Sequence, residues 1–126
     1  MNLNDYVKVF KALGEPTRLK ILKLLSVRPM FVCELESVLQ MSQPRISQHL
    51  RTMKEAGLVT EQKDAQRTYY SLQMDYLDQS VDNLITFFHT DLADLPQFKE
   101  EYLRVKQLDS NADVALCKEG NCNPVV

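Results

Sequence analysis

The chain has 126 residues, 44% of them hydrophobic, which holds one domain with a modest core and room for one extension. Its net charge of −2 is unevenly laid out: residues 1–30 carry six Lys/Arg against two Asp/Glu, and residues 75–126 carry four against ten, an asymmetry that suits a basic, nucleic-acid-facing first half. No apolar run approaches the roughly 18 residues of a membrane span, and Met1-Asn2-Leu3-Asn4-Asp5 lacks the basic start and apolar stretch of a signal peptide, so a cytoplasmic protein with no membrane partner is expected.

Leu3, Tyr6, Val7, Phe10 and Leu13 recur at three- and four-residue steps, predicting a first amphipathic helix that Gly14 ends. Glu15-Pro16-Thr17 opens a second, with proline tolerated in its first turn, and Arg28-Pro29 closes it. Its leucines and isoleucine (Leu19, Ile21, Leu22, Leu24, Leu25) fall on most sides, as in a central core helix. Residues 32–39 read as a short third helix. Ser42 is a good N-cap for a fourth that runs to Glu55 or Ala56, where Gly57 stops it. Residues 58–62 and 67–72 are β-rich and predict a hairpin; without Asn-Gly or Asp-Gly between them, its turn is expected to exceed two residues. A fifth helix starts near Asp75 and carries Leu77, Val81, Leu84, Ile85 and Phe88. Another starts at Pro96, with Phe98, Tyr102, Val105 and Leu108 on one stripe. From Asp109 the chain is polar and reads as a mobile tail unless a ligand fixes it.

This order, ααααββα with an added C-terminal helix and tail, is mainly α with a β-hairpin wing: a winged helix–turn–helix. Residues 1–92 are read as the DNA-binding and dimerisation domain, and residues 93–126 as the C-terminal helix and cysteine-containing tail.

In the fourth helix, a wheel that places Ile46, Leu50 and Met53 inward turns Pro44, Ser47, Gln48 and Arg51 outward, with Gln43, Arg45 and His49 on the flanks. Gln pairs bidentately with adenine, Arg with guanine, and Ser reaches base or phosphate. The N-terminal part of such a helix enters the major groove. Gln43, Arg45, Ser47 and Gln48 are therefore assigned to bases, and Arg51 and Lys54 to phosphate; His49 serves either role. In the wing, Lys63, Gln66 and Arg67 reach backbone or minor groove. Tyr69 and Tyr70 are assigned to the sheet. An ordinary solvated helix face is the alternative for each polar residue singly, but the succession of short helix, tight turn, Ser-capped polar helix and hairpin favours DNA.

Leu13-Gly-Glu-Pro-Thr-Arg-Leu-Lys-Ile-Leu22 (extending to Leu25), Glu34-Leu35 and the run Ser42 to Val59 resemble the ArsR/SmtB family of metal- and metalloid-sensing repressors, across roughly residues 3–90. The resemblance implies a homodimer built from the first and fifth helices, binding to an imperfect inverted repeat of operator DNA, and an inducer that weakens that complex. The apolar stripes agree: Leu3, Tyr6 and Phe10 on the first helix, and Leu77, Val81, Leu84 and Phe88 on the fifth, are the expected dimerisation residues, with packing inside a monomer as the alternative.

Three cysteines, an odd number, argue against a disulfide framework and fit a reducing compartment. Arsenic-responsive members of the resembled family carry a Cys-Val-Cys-Asp-Leu type segment in the third helix. The matching stretch is Phe31-Val32-Cys33-Glu34-Leu35, so Cys33 takes the second cysteine position, Phe31 replaces the first and Glu36 stands where a third sometimes occurs. Soft ions prefer thiolates, and the remaining thiols are Cys117 and Cys122 in the tail. Cys33, Cys117 and Cys122 are thus the expected ligands of As(III) or Sb(III) as inducer, with Cd(II) or Pb(II) also suited to three thiols. A disulfide or persulfide between Cys117 and Cys122 is the redox alternative, and Cys33 as a small buried hydrophobe remains open. No phosphate loop, Ser/His/Asp set or metal-hydrolase motif occurs, so no enzyme is expected.

Overall fold

A computed structural model describes residues 2–121; Cys122, one of the three expected thiol ligands, lies outside the described residues. Internal contacts divide the chain into two units, Met1–Ile85 and Thr86–Val126.

The first unit opens with α1 (Leu3–Leu13). Asn2 and Asp5 cap it reciprocally: the Asn2 side chain accepts from the Asp5 N–H at 3.0 Å, and the Asp5 carboxylate from the Asn2 N–H at 3.1 Å. After Gly14, the Glu15 carboxylate caps α2 (Pro16–Val27) by accepting from the Arg18 N–H at 2.9 Å. A strand that the sequence reading does not include, β1 (Met30–Phe31), precedes α3 (Val32–Leu39). Two residues are too few to show a period of two, and Arg28-Pro29 signals only the end of a helix. Gln40, at φ 55°, turns the chain out of α3 and into α4 (Gln43–Glu55). Ser42 occupies the N-cap position of α4, but its hydroxyl makes no capping bond; its carbonyl accepts from the Ile46 N–H at 3.1 Å.

Gly57, at φ 82°, reverses the chain into the wing, β2 (Val59–Asp64) and β3 (Arg67–Leu72). The three strands form one antiparallel sheet in the order β1-β3-β2. Pairing of Asp64 with Arg67 leaves only Ala65 and Gln66 in the turn, which corrects the expected longer loop. Ala65 takes φ 57°, the left-handed first position of a tight hairpin turn that glycine usually fills, so no sequence signal marks it. The core gathers Val9 from α1, Ile21 and Leu25 from α2, Leu35 from α3, Ile46, Leu50 and Met53 from α4, and Leu58 and Tyr70 from the wing. The long α5 (Met74–His89) follows and spans the division between the units.

In the second unit, 3-10 turns at Leu92–Asp94 and Pro96–Phe98 lead to α6 (Lys99–Lys106). The helix expected from Pro96 thus begins three residues later, after a tighter turn. Beyond it the chain is wound rather than a featureless tail: a 3-10 turn at Leu108–Ser110, then α7 (Ala112–Leu116), whose N-cap Asn111 accepts from the Val114 N–H at 3.1 Å. A kink at Gly120, φ 89°, follows. Among the described residues no helix is long and apolar enough to cross a membrane.

Candidate nucleic-acid interface

The hydrophobic period of α4 divides it into two faces. Ile46, Leu50 and Met53 are fully buried. On the other side Gln43, Arg45, Gln48, Arg51 and Lys54 are exposed, and Ser47 is half-buried. Gln43 donates from its amide to the Ser47 hydroxyl at 2.8 Å, an i, i+4 pair that pre-orders two of the expected base contacts. Lys54 lies 3.5 Å from the Glu61 carboxylate, so this expected phosphate contact already has an acidic partner. The Tyr70 hydroxyl, donating to Glu61 at 2.5 Å, holds that carboxyl below its ordinary range, with Lys54 adding to the effect. The desolvated Tyr70 phenol is in turn pushed up to about 12, with Glu61 contributing.

His49 stands apart from the other polar residues of α4. Its side chain is only 19% exposed, with Nδ1 3.9 Å from the Glu15 carboxylate and 3.4 Å from Nη1 of Arg18. Neither Glu15 nor Arg18 is among the expected site residues. The signal was present in the Glu15-Pro16-Thr17-Arg18 run, but nothing in its spacing indicates a partner 31 positions further on.

The wing places Lys63 and Arg67 in the open. Arg67 lies over the Phe31 ring at 4.2 Å and 3.9 Å from Asp64, and Phe31 meets Tyr69 edge to face at 5.7 Å. Glu34 bonds Arg28 and accepts from the Phe31 N–H at 2.9 Å; these bonds, Arg28 first, hold its carboxyl below the ordinary value.

Cys33 is an exposed free thiol in the first turn of α3, so it is not a buried core residue. It lines a cleft of about 250 Å³ together with Glu36, Gln43 and Arg67. One expected ligand thus shares a concavity with the first residue of α4 and with the wing. Cys117 lies in the second unit and is disulfide-bonded. Among the described residues no three His, Cys, Asp or Glu side chains are grouped to hold a metal ion. On the remaining expected surface, Leu3, Val81 and Phe88 are exposed, and Tyr6, Phe10, Leu77 and Leu84 are half-buried. Tyr6 also donates to the Asn83 carbonyl at 3.4 Å, joining α1 to α5.

Residues 15–61, from the cap of α2 through α4 into the wing, match the family model described as bacterial regulatory protein, arsR family. The arsenical resistance operon repressor of Staphylococcus xylosus is 34% identical over 89 residues, spanning 68% of this chain and 86% of that protein. This chain belongs to the ArsR family. A second relative, the cadmium resistance transcriptional regulatory protein CadC homolog of Staphylococcus aureus, is 36% identical over 89 residues, 70% of this chain and 72% of that one. HlyU from Vibrio cholerae N16961 shares the fold at a TM-score of 0.58 and 33% identity, over 71% of this chain and all of that structure. This ArsR-family chain is therefore a DNA-binding winged-helix transcriptional repressor and not an enzyme.

Proposed function

We propose that this ArsR-family chain is a homodimer that binds an inverted-repeat operator through α4 and the wing, and that As(III) or Sb(III) captured by cysteine thiolates releases it. Gln43, Arg45, Ser47 and Gln48 read bases, while Arg51, Lys54, Lys63 and Arg67 hold phosphates. Leu3, Tyr6, Phe10, Leu77, Val81, Leu84 and Phe88 supply the dimer contacts, because exposed apolar stripes on α1 and α5 are best covered by their symmetry mates. Residues 1–92 do this work, and residues 93–126 carry the further thiols.

The single observation that carries the inducer reading is the cleft shared by Cys33, Gln43 and Arg67. An ion held at Cys33 sits against one base-reading residue and one wing residue, so its arrival perturbs both halves of the DNA surface. Soft thiolate chemistry suits a trivalent metalloid, with Cys117, once reduced, and Cys122 completing three sulfurs. Two relatives named for arsenical and cadmium resistance support an ion of this class. The test is operator release under arsenite titration in the presence of a thiol reductant. Wild-type protein is expected to dissociate and Cys33→Ser to stay bound; equal release of both removes Cys33 from the mechanism.

A second reading keeps the fold and makes the signal redox. Cys117 and Cys122 then act as a thiol–disulfide or persulfide pair, and DNA affinity follows oxidation without any ion. Cd(II) or Pb(II) as inducer is separated from As(III) by the same titration with each ion.

A further inference from the structure

A side chain with three polar partners beside the DNA surface is not on α4. Arg18, in the first turn of α2, donates from Nε to the Ala12 carbonyl at 2.7 Å and from Nη2 to the Lys11 carbonyl at 2.9 Å. Both carbonyls lie in the last turn of α1, where its dipole favours a cation; the Lys11 carbonyl also accepts from the Gly14 N–H at 3.3 Å. The third nitrogen, Nη1, lies 3.4 Å from Nδ1 of His49 in the middle of α4. The Glu15 carboxylate accepts from the Arg18 N–H and sits 3.9 Å from the same imidazole nitrogen. One guanidinium therefore ties the end of α1 to the midpoint of the recognition helix. A guanidinium only donates, so a hydrogen bond between the two has Nδ1 as its acceptor.

We propose that Glu15, Arg18 and His49 form a clamp that sets the angle of α4 against the end of α1, with His49 acting through Arg18 as a positioning residue rather than as a DNA contact. The proposal rests on the repressor reading above. Its physical basis is that base readout needs α4 held to a fraction of an ångström. The apolar stripe below α4 resists lifting but resists rotation and sliding poorly, whereas a hydrogen-bonded side-chain network is directional. Because α1 also carries the expected dimer contacts, the clamp couples the pose of each recognition helix to the subunit interface.

Asparagine places a polar atom where Nδ1 stands, and glutamine where Nε2 stands, so the two substitutions separate the roles. Binding to a palindromic promoter duplex is measured across a salt series for wild type, His49→Asn, His49→Gln, Arg18→Gln and the Arg18→Gln/His49→Gln double variant. His49→Asn is expected to stay within about twofold of wild type. His49→Gln and Arg18→Gln are each expected to weaken binding about tenfold, and the double variant by about the same tenfold rather than a hundredfold, as for residues acting in one network. The slope of log K against log salt is expected to be unchanged in His49→Gln, since no phosphate contact is lost. Tight binding by His49→Gln with weak binding by His49→Asn overturns the clamp, as does a double variant that loses both factors. Thermal melts accompany each protein. Arg18→Lys, which keeps the charge but donates from one nitrogen, replaces Arg18→Gln if that variant does not fold. A wild-type protein that does not distinguish the palindrome from random duplex overturns the repressor reading itself, a result distinct from those that overturn only the clamp.

Discussion

Two substitutions two positions apart on α4 are expected to have opposite consequences. Leu50 is fully buried beneath the helix, and Leu50→Ala deletes three carbons, each contributing about 0.8 kcal/mol of transfer free energy. The cavity left behind adds a further penalty, bringing the expected loss of stability to about 3–4 kcal/mol. With a urea dependence of about 1.5–2 kcal/mol per molar for a domain of this size, the unfolding midpoint falls by about 2 M. Gln48 is exposed on the opposite face, so Gln48→Ala is expected to leave stability within about 0.5 kcal/mol of wild type. Loss of the proposed base contact is instead expected to weaken operator binding by about 1–3 kcal/mol and to relax the preference at one base pair. The assay is paired: urea unfolding followed by circular dichroism, and fluorescence anisotropy with operator and single-mismatch duplexes at fixed salt. The division of α4 into a core face and a reading face is refuted if Leu50→Ala costs less than about 1 kcal/mol, or if Gln48→Ala leaves both affinity and base preference intact.

Gly57 sits at φ 82°, and a Cβ there would lie 3.0 Å from the Tyr76 ring, so Gly57→Ala is expected to cost about 1–3 kcal/mol through backbone strain and crowding, read as a drop in Tm. Tyr70 keeps its proton in the fold until about pH 12, against an ordinary value of 10.0. Its contribution to stability is therefore complete below pH 10 and is lost as pH climbs from 10 to about 12, and Tyr70→Phe is expected to flatten that alkaline limb of a Tm profile. Glu34, held below its ordinary 4.5 chiefly by Arg28 and then by the Phe31 N–H, contributes above that value and loses its contribution as pH falls below it; Glu34→Gln is expected to blunt acid unfolding. Val81→Asp puts a charge on an exposed apolar position of α5 and is expected to yield monomer in sedimentation equilibrium, with operator affinity lowered at least about tenfold through lost pairing of half-sites.

Legibility in the sequence followed the reach of each interaction. Gly14 and Pro16 marked a helix end and a helix start because capping is local, and the triad Ile46, Leu50 and Met53 declared the buried side of α4 because burial follows helical period. The wing strands showed through their β-branched and aromatic residues. What stayed hidden depends on pairing across distance. Met30 and Phe31 are a strand only because Tyr70 and Tyr69 lie beside them. The two-residue turn at Ala65 is imposed by the register of its strands rather than by a glycine. The link from Arg18 to His49 joins two elements whose separate patterns carry no trace of it. Of the thiols, the sequence placed Cys33 at the start of α3, but its sharing of a cleft with Gln43 and Arg67 required α4 and β3 to be docked against it.

The strand Met30–Phe31 pairs with Tyr70 and Tyr69 in the middle of β3, so the hairpin is rooted as far as Tyr69 and overhangs only from Lys63 to Thr68. Backbone amides near the root should resist exchange with deuterated solvent far longer than those at the tip. Adding two residues to each strand of the overhang moves Lys63 and Arg67 outward by about 7 Å and keeps their faces, at the loss of the Arg67 contact with Phe31, so the distance along a duplex to which this repressor extends is adjustable apart from the residues of α4.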